Sequence, residues 1–141
     1  MQQLIELYKK WSGSAPAKVE KIAGQGSNRQ YFRFTASDSS TVIGVVGTSH
    51  DENHAFIFID RHFTKRKLPV PHILAVSDDE MRYLQSDLGS TSLFDAIRGG
   101  REAGGRYNLA EQELLKKTIR QLPNLQIRGA IGMDWSVCYP Q

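Results

Sequence analysis

Cysteine occurs once, at Cys138, in a chain of 141 residues. A single thiol excludes an internal disulfide and a cysteine-rich metal site, so a reducing cytoplasm is the expected compartment. Long apolar runs are missing as well. Stretches such as Val42–Val46 fall far short of the ~20 residues that a membrane helix needs. The opening residues carry Glu6 and then Lys9 and Lys10, and no apolar core follows, so no secretory leader is expected. Charge of one sign is scarce: 18 Lys and Arg stand against 15 Asp and Glu, for a net charge of +3. That excess is too small for a dedicated nucleic-acid stripe. Only Arg61 to Lys67 approaches one, and it reads as the solvated last turn of a helix. No segment repeats, and no tract is of low complexity. Hydrophobic residues make up 40% of the chain, enough for one packed core and against wholesale disorder.

The patterning that is present changes period along the chain. Leu4, Leu7, Tyr8 and Trp11 recur at helical spacing over residues 3–11, and Ser12–Pro16 breaks the pattern. Lys18–Ala23 alternates as a strand does. Gln30–Thr35 and Thr41–Val46 follow on either side of the turn residues Ser37–Ser40, which predicts a hairpin. Ala55, Phe56, Ile59 and Phe63 restore helical spacing over 52–66, until Pro69 and Pro71. His72–Val76 and Met81–Gln85 then flank Ser77–Glu80 as a second hairpin. The expectation is an α+β fold: a five-stranded antiparallel sheet with one inserted helix, and helical packing on one face. Beyond it the chain reads as helical. A short helix is predicted over Ser92–Arg98, a flexible loop over Gly99–Gly105, and a capping box at Asn108 and Glu111. Leu114, Leu115, Ile119 and Leu122 form an apolar stripe behind that cap, and Pro123 is expected to kink or end the helix. Arg128–Gln141 has no clear period.

The segment richest in chemistry runs from Ile22 to Phe34. Gly24 and Gly26 lie between two expected strands, and Ser27 and Asn28 follow at once. Such a loop can fold over phosphates, because glycine allows close backbone approach and exposed N–H groups bind anionic oxygens. The strand after it excludes the Rossmann fingerprint and the Walker loop, both of which open a helix. By spacing alone an ordinary hairpin turn remains the simpler account.

Gly24-x-Gly26-Ser27-Asn28-x-x-Tyr31 resembles the glycine loop of the aminoglycoside phosphotransferase and choline kinase superfamily, and within it bacterial phosphotransferases of the sugar-kinase type. Met81–Gly89, ending Ser86-Asp87-Leu88-Gly89, is similar to that family's last strand and hinge, and the order of elements agrees. The resemblance spans roughly residues 15 to 125. It implies a kinase-like N-terminal lobe over 1–89, followed by a helical linker and the start of a second lobe over 90–141. It implies ATP, carried with Mg²⁺ in the complete enzyme. Adenine would bond to backbone groups of Gln85, Ser86, Asp87 and Leu88, and the phosphates would lie under Gly24, Gly26, Ser27 and Asn28. The acceptor would be a small hydroxylated substrate, a sugar or an amino sugar.

Two departures qualify what the resemblance implies. The third strand of kinase-like folds carries a phosphate-binding Lys paired with a Glu on the next helix, and Thr41–Thr48 has no Lys. Glu52 or Asp51 could be the carboxylate, and Arg29 or Arg33 the cation; Arg33 has good reach if alternation puts it on the face of Tyr31, and a solvated strand face is the plain alternative for both arginines. The catalytic His-Gly-Asp-x-x-x-x-Asn loop is also missing, and all four histidines precede residue 73. The chain is thus expected to be the nucleotide-binding part of a phosphotransferase, shortened or encoded by a fragmentary gene. It should be inactive alone and bind ATP no better than about millimolar.

Other readings compete. His50 and His54 share one side of a helix and could hold zinc, although Asp51 occupies the place of the metalloprotease Glu. Tyr31, Phe32 and Phe34 could stack the bases of a single-stranded nucleic acid, but alternation makes a buried pair the simpler account, and nucleic acid is not the expected partner. A binding or self-association module, with no membrane contact, is the third reading.

Overall fold

The computed structural model describes residues 1–23 and 28–138, so Gly24, Gly26 and Ser27 lie outside the described residues. Helix α1 (Gln2–Ser12) forms where the apolar spacing predicts it and closes at Gly13, whose N–H returns to the Lys9 carbonyl. Five strands follow: β1 (Lys18–Ile22), β2 (Gln30–Thr35), β3 (Thr41–Val46), β4 (Ile73–Val76) and β5 (Arg82–Ser86). They form one antiparallel sheet in the order β1-β2-β3-β5-β4. Helix α2 (His50–Lys65) is inserted between β3 and β4 and starts at Ser49, whose hydroxyl accepts the Glu52 N–H. The fold is the α+β arrangement expected, with a single helix inside the run of strands.

The sheet differs from expectation in being covered on both faces. Alternation along β2 turns Phe32 and Phe34 to one side, where they pack with Leu4 and Tyr8 of α1 and with Leu84. Tyr31 turns to the other side and joins Ile43, Val45, Tyr83 and the α2 residues Phe56 and Ile57. The first helix, read from the sequence only as a short amphipathic opening, therefore supplies a second layer. Gly44 makes that layer possible. The Phe34 ring stacks on Tyr8 with centroids 5.0 Å apart, and a Cβ at residue 44 would stand 2.5 Å from Phe34 Cε2.

On the α2 side, two buried polar residues tie the helix to the second hairpin. Asn53 donates to the Glu80 carbonyl at 3.0 Å, and Asp60 accepts the Ile73 N–H at 3.2 Å. Burial pushes the Asp60 carboxyl above its ordinary value, against the pull of the Ile73 N–H.

Contacts divide the chain between Asp87 and Leu88. Residues 1–87 group with the C-terminal residues 133–138, whose turn Trp135–Val137 packs against α2, and Leu88–Gly132 forms the second unit. Within that second unit lie α3 (Leu93–Ala96), α4 (Arg98–Glu102) and α5 (Leu109–Pro123). The flexible loop expected over Gly99–Gly105 is instead helical as far as Glu102. Its cause is long-range: the buried Glu111 accepts the Gly100 N–H at 2.9 Å, and the Tyr107 ring covers Gly100 so closely that no side chain would fit there. Glu111 also completes the expected capping box with Asn108. Pro123 ends α5, and one π-helical turn follows over Asn124–Arg128. The apolar stripe of α5 does not enter a core, since Leu114, Ile119 and Leu122 are all exposed. No helix among the described residues is long and apolar enough to cross a membrane.

Replacing Gly44 by Ala should lower unfolding free energy by about 1–3 kcal/mol, because the stacked Phe34 ring cannot yield. Urea denaturation checks this through the midpoint at unchanged slope. The Asp60 carboxyl has its folded pKa above the unfolded value of about 3.9, so its stabilising contribution is complete below that pH and declines as pH rises through the folded pKa. Asp60→Asn keeps the acceptor for Ile73. Its stability relative to the parent should therefore improve as pH rises above about 4 and level off once the folded carboxyl has ionised, as read by thermal melts across that range.

Candidate functional site

Residues 29, 31 and 33 share the α2 face of β2, and both arginines in this row are bound rather than solvated. Arg29 leaves the start of β2 for the first turn of α2. Its Nη2 lies 3.5 Å from Glu52 Oε1 and donates to the Glu52 carbonyl at 3.3 Å. The guanidinium sits 4.8 Å from the centroid of the Phe56 ring, and only 11% of the side chain is exposed. Phe56 in turn stacks on Tyr83 of β5 at 5.4 Å. Of the two acidic candidates, Glu52 is the one brought to an arginine. Asp51 points outward, 85% exposed, beside His50.

Arg33 lies in a cross-strand row with Ile43 of β3 and Gln85 of β5. Its guanidinium reaches past that row to Asp87, donating from Nε to Oδ2 at 2.5 Å and from Nη2 to Oδ1 at 3.1 Å. This two-pronged geometry gives both energy and orientation. The Asp87 side chain is only 6% exposed. The hydrogen bonds to Asp87 come first among the causes that raise the already high pKa of Arg33, against its partial desolvation. Arg33 is thus committed to the residue that follows β5, and Arg29 is the cation at the glycine-loop end of the face.

Ser86 pairs with His72 through both main chain and side chain: its N–H donates to the His72 carbonyl, and its hydroxyl accepts the His72 N–H, each at 2.9 Å. Leu88 is 72% exposed, and Asn28 is exposed at a bend before β2. The side chains of Tyr83 and Gln85 face α2, and two of their atoms, Tyr83 Oη and Gln85 Oε1, are buried without a hydrogen-bond partner. Burial drives the Tyr83 hydroxyl well above its ordinary pKa, with nearby Arg29 opposing the shift. It stays a neutral phenol throughout the working range.

The other constellations resolve differently. His54 Nδ1 lies 2.6 Å from Glu80 Oε2, and His50 Nε2 lies 3.7 Å from the same oxygen, with the two rings stacked. They fasten the start of α2 to the β4–β5 turn. Among the described residues no group of three His, Cys, Asp or Glu side chains is arranged to hold a metal. Phe32 and Phe34 are 6% and 0% exposed, so neither can stack a base.

No protein-family model matches this chain, and no curated protein matches it significantly.

The sequence singled out Arg29, Arg33, Asp87 and Gln85 but not their connections. Arg33 and Asp87 are 54 positions apart, and no local pattern marks such a pair. Alternation along β2 did place Arg33 on the face of Tyr31, which was the available signal. Asp87→Asn should loosen the segment after β5. Hydrogen exchange at the amides of residues 86–88 should quicken by about tenfold or more, while the amides of Val45 and Leu84 keep their protection.

Proposed function

We propose that this chain supplies the ATP-binding region of a phosphotransferase acting on a small hydroxylated substrate, a sugar or an amino sugar. The observation that carries the reading is the Arg29–Glu52 pair. Phosphoryl transfer rests on positioning and on charge held next to the phosphates. A cation oriented by a carboxylate on the helix inserted between β3 and β4 is the arrangement that kinase-like folds use for this purpose. Here the cation comes from the start of β2, directly after the glycine-containing segment, instead of from β3. The guanidinium rests against the Phe56 ring and is paired to Glu52, so it would engage phosphate oxygens with its position already set. The Arg33–Asp87 fork steadies the residues against which the nucleobase would bond.

Among the described residues of this face, Glu52 and Asp87 are each paired to an arginine, and the buried Asp60 is held by the Ile73 N–H. The described residues of this face therefore do not form a magnesium site. The sequence carries no His-Gly-Asp-x-x-x-x-Asn string to take the proton of an attacking hydroxyl, so in this reading the chain holds nucleotide without turning it over.

A second reading, association with another protein surface, has one observation in its favour: Leu114, Ile119, Leu122 and Ile127 are exposed together in the second unit. Light scattering at several concentrations decides it. A mass that grows with concentration supports association, and a constant monomer mass rejects it. The nucleotide reading is tested by hydrogen exchange of the chain with and without ATP at about 10 mM, well above the expected millimolar dissociation constant. Protection at residues 29–33 and 85–88 is expected. Arg29→Met, which keeps the packed stem and loses the charge, should abolish the protection around residue 29. Unchanged exchange everywhere in the parent chain would contradict the reading.

A further inference from the structure

The apolar stripe of α5 is used neither by packing within its own unit nor by the nucleotide reading. At about 100° per residue, Leu114, Leu115, Thr118, Ile119 and Leu122 fall on one side of this helix, and Lys116, Lys117 and Arg120 fall on the other. Glu111 belongs to the apolar side but is buried and turned to the Gly100 N–H. Glu113, on the polar side, is taken by Lys116 at 2.8 Å. From Leu114 to Met133 the chain carries Lys116, Lys117, Arg120 and Arg128, and no Asp or Glu. Exposed apolar groups continue past Pro123, with Ile127 67% and Ile131 60% exposed. An apolar surface left bare in this way marks a place of contact.

We infer that this segment lies flat on an anionic lipid surface, its apolar side entering the boundary between headgroups and acyl chains and its cations resting among the headgroups. The inference stands apart from the nucleotide reading. A helix with leucine and isoleucine on one side and lysine and arginine on the other binds in the plane of the interface, and α5 is too short and too polar to cross it. Charge decides the occupant. A second copy pairing through the stripe would bring Lys116, Lys117 and Arg120 of both copies close together, with no carboxylate between Leu114 and Met133 to meet them. An anionic surface meets all of these cations at once, and each contributes roughly fivefold to partitioning near it. Shape agrees with charge. Pro123 ends α5 and a π-helical turn follows, which interrupts the apolar ridge. A groove in a protein must match that interruption, whereas a fluid acyl layer adapts to it.

The test is co-sedimentation of the 141-residue chain with phosphatidylcholine vesicles containing about 30 mol% phosphatidylserine, against vesicles of phosphatidylcholine alone, at about 0.1 M salt. Binding to the anionic vesicles should be stronger by about tenfold or more, and on them hydrogen exchange at the amides of residues 114–128 should slow. Lys117→Gln combined with Arg120→Gln should lose about tenfold of that affinity. Ile119→Ser combined with Ile127→Ser leaves every charge in place and should also weaken binding by about tenfold, a response that attraction by net charge alone would not give. All four side chains are exposed, so both variants should melt as the parent does. Equal binding to the two vesicle types, affinity that survives the serine pair, or protection confined to residues outside 114–128 would overturn the inference. So would failure to sediment with the anionic vesicles, and growth of mass with concentration in that case would assign the stripe to a protein partner.

Discussion

Alternation along a single strand governs how this molecule divides its tasks. On β2, Phe32 and Phe34 turn to α1 and are buried, while Arg29, Tyr31 and Arg33 turn to α2. A slip of one residue in the register with β3 would exchange the two sets, placing guanidinium groups in the aromatic core and phenyl rings against Glu52 and Asp87. The stacked pair of Tyr8 and Phe34, seated over Gly44, makes that slip prohibitive. Packing on one face thus sets the chemistry available on the other.

The α2 face is unusually polar for a sheet surface covered by a helix. Two arginines, a tyrosine hydroxyl, a glutamine and an aspartate occur among Ile43, Val45 and Ile57. The arginines are paired, each to a carboxylate on a different element: Glu52 on α2 and Asp87 after β5. Burying charge is tolerable only with such partners. The two pairs stand at opposite ends of the face, with the Arg33 row crossing Ile43 to Gln85 between β2 and β5. One end carries a cation beside the glycine-containing segment, and the other carries a fixed stretch of backbone. Those are the two demands that a nucleotide makes, charge for its phosphates and hydrogen-bonding edges for its base.

Much of this fold was legible in the sequence because its causes are local. The spacing of Leu4, Leu7, Tyr8 and Trp11, the turn residues Ser37–Ser40 and Ser77–Glu80, and the reciprocal cap of Asn108 and Glu111 each act within a few residues. The failures have non-local causes. Gly99 to Glu102 reads as a loop by composition, yet Glu111 and Tyr107 hold it as a helix from the far side of a turn. Coverage of both sheet faces required knowing that α1 folds back across β3, β4 and β5. For the candidate site, residue types were legible but pairings were not. Alternation gave Arg33 the reach toward the phosphates, but its guanidinium is taken by Asp87, and it is Arg29 that meets Glu52.

The central claim is that the α2 face holds a nucleotide, with its base at the end of β5 and its phosphates at the start of β2. Photolabelling of the 141-residue chain with 8-azido-ATP, followed by peptide mapping, tests it directly. The account predicts label within residues 22–33 or 83–88 that an excess of ATP prevents. Label confined to α5 or to the α1 face, or label that ATP does not displace, would contradict it.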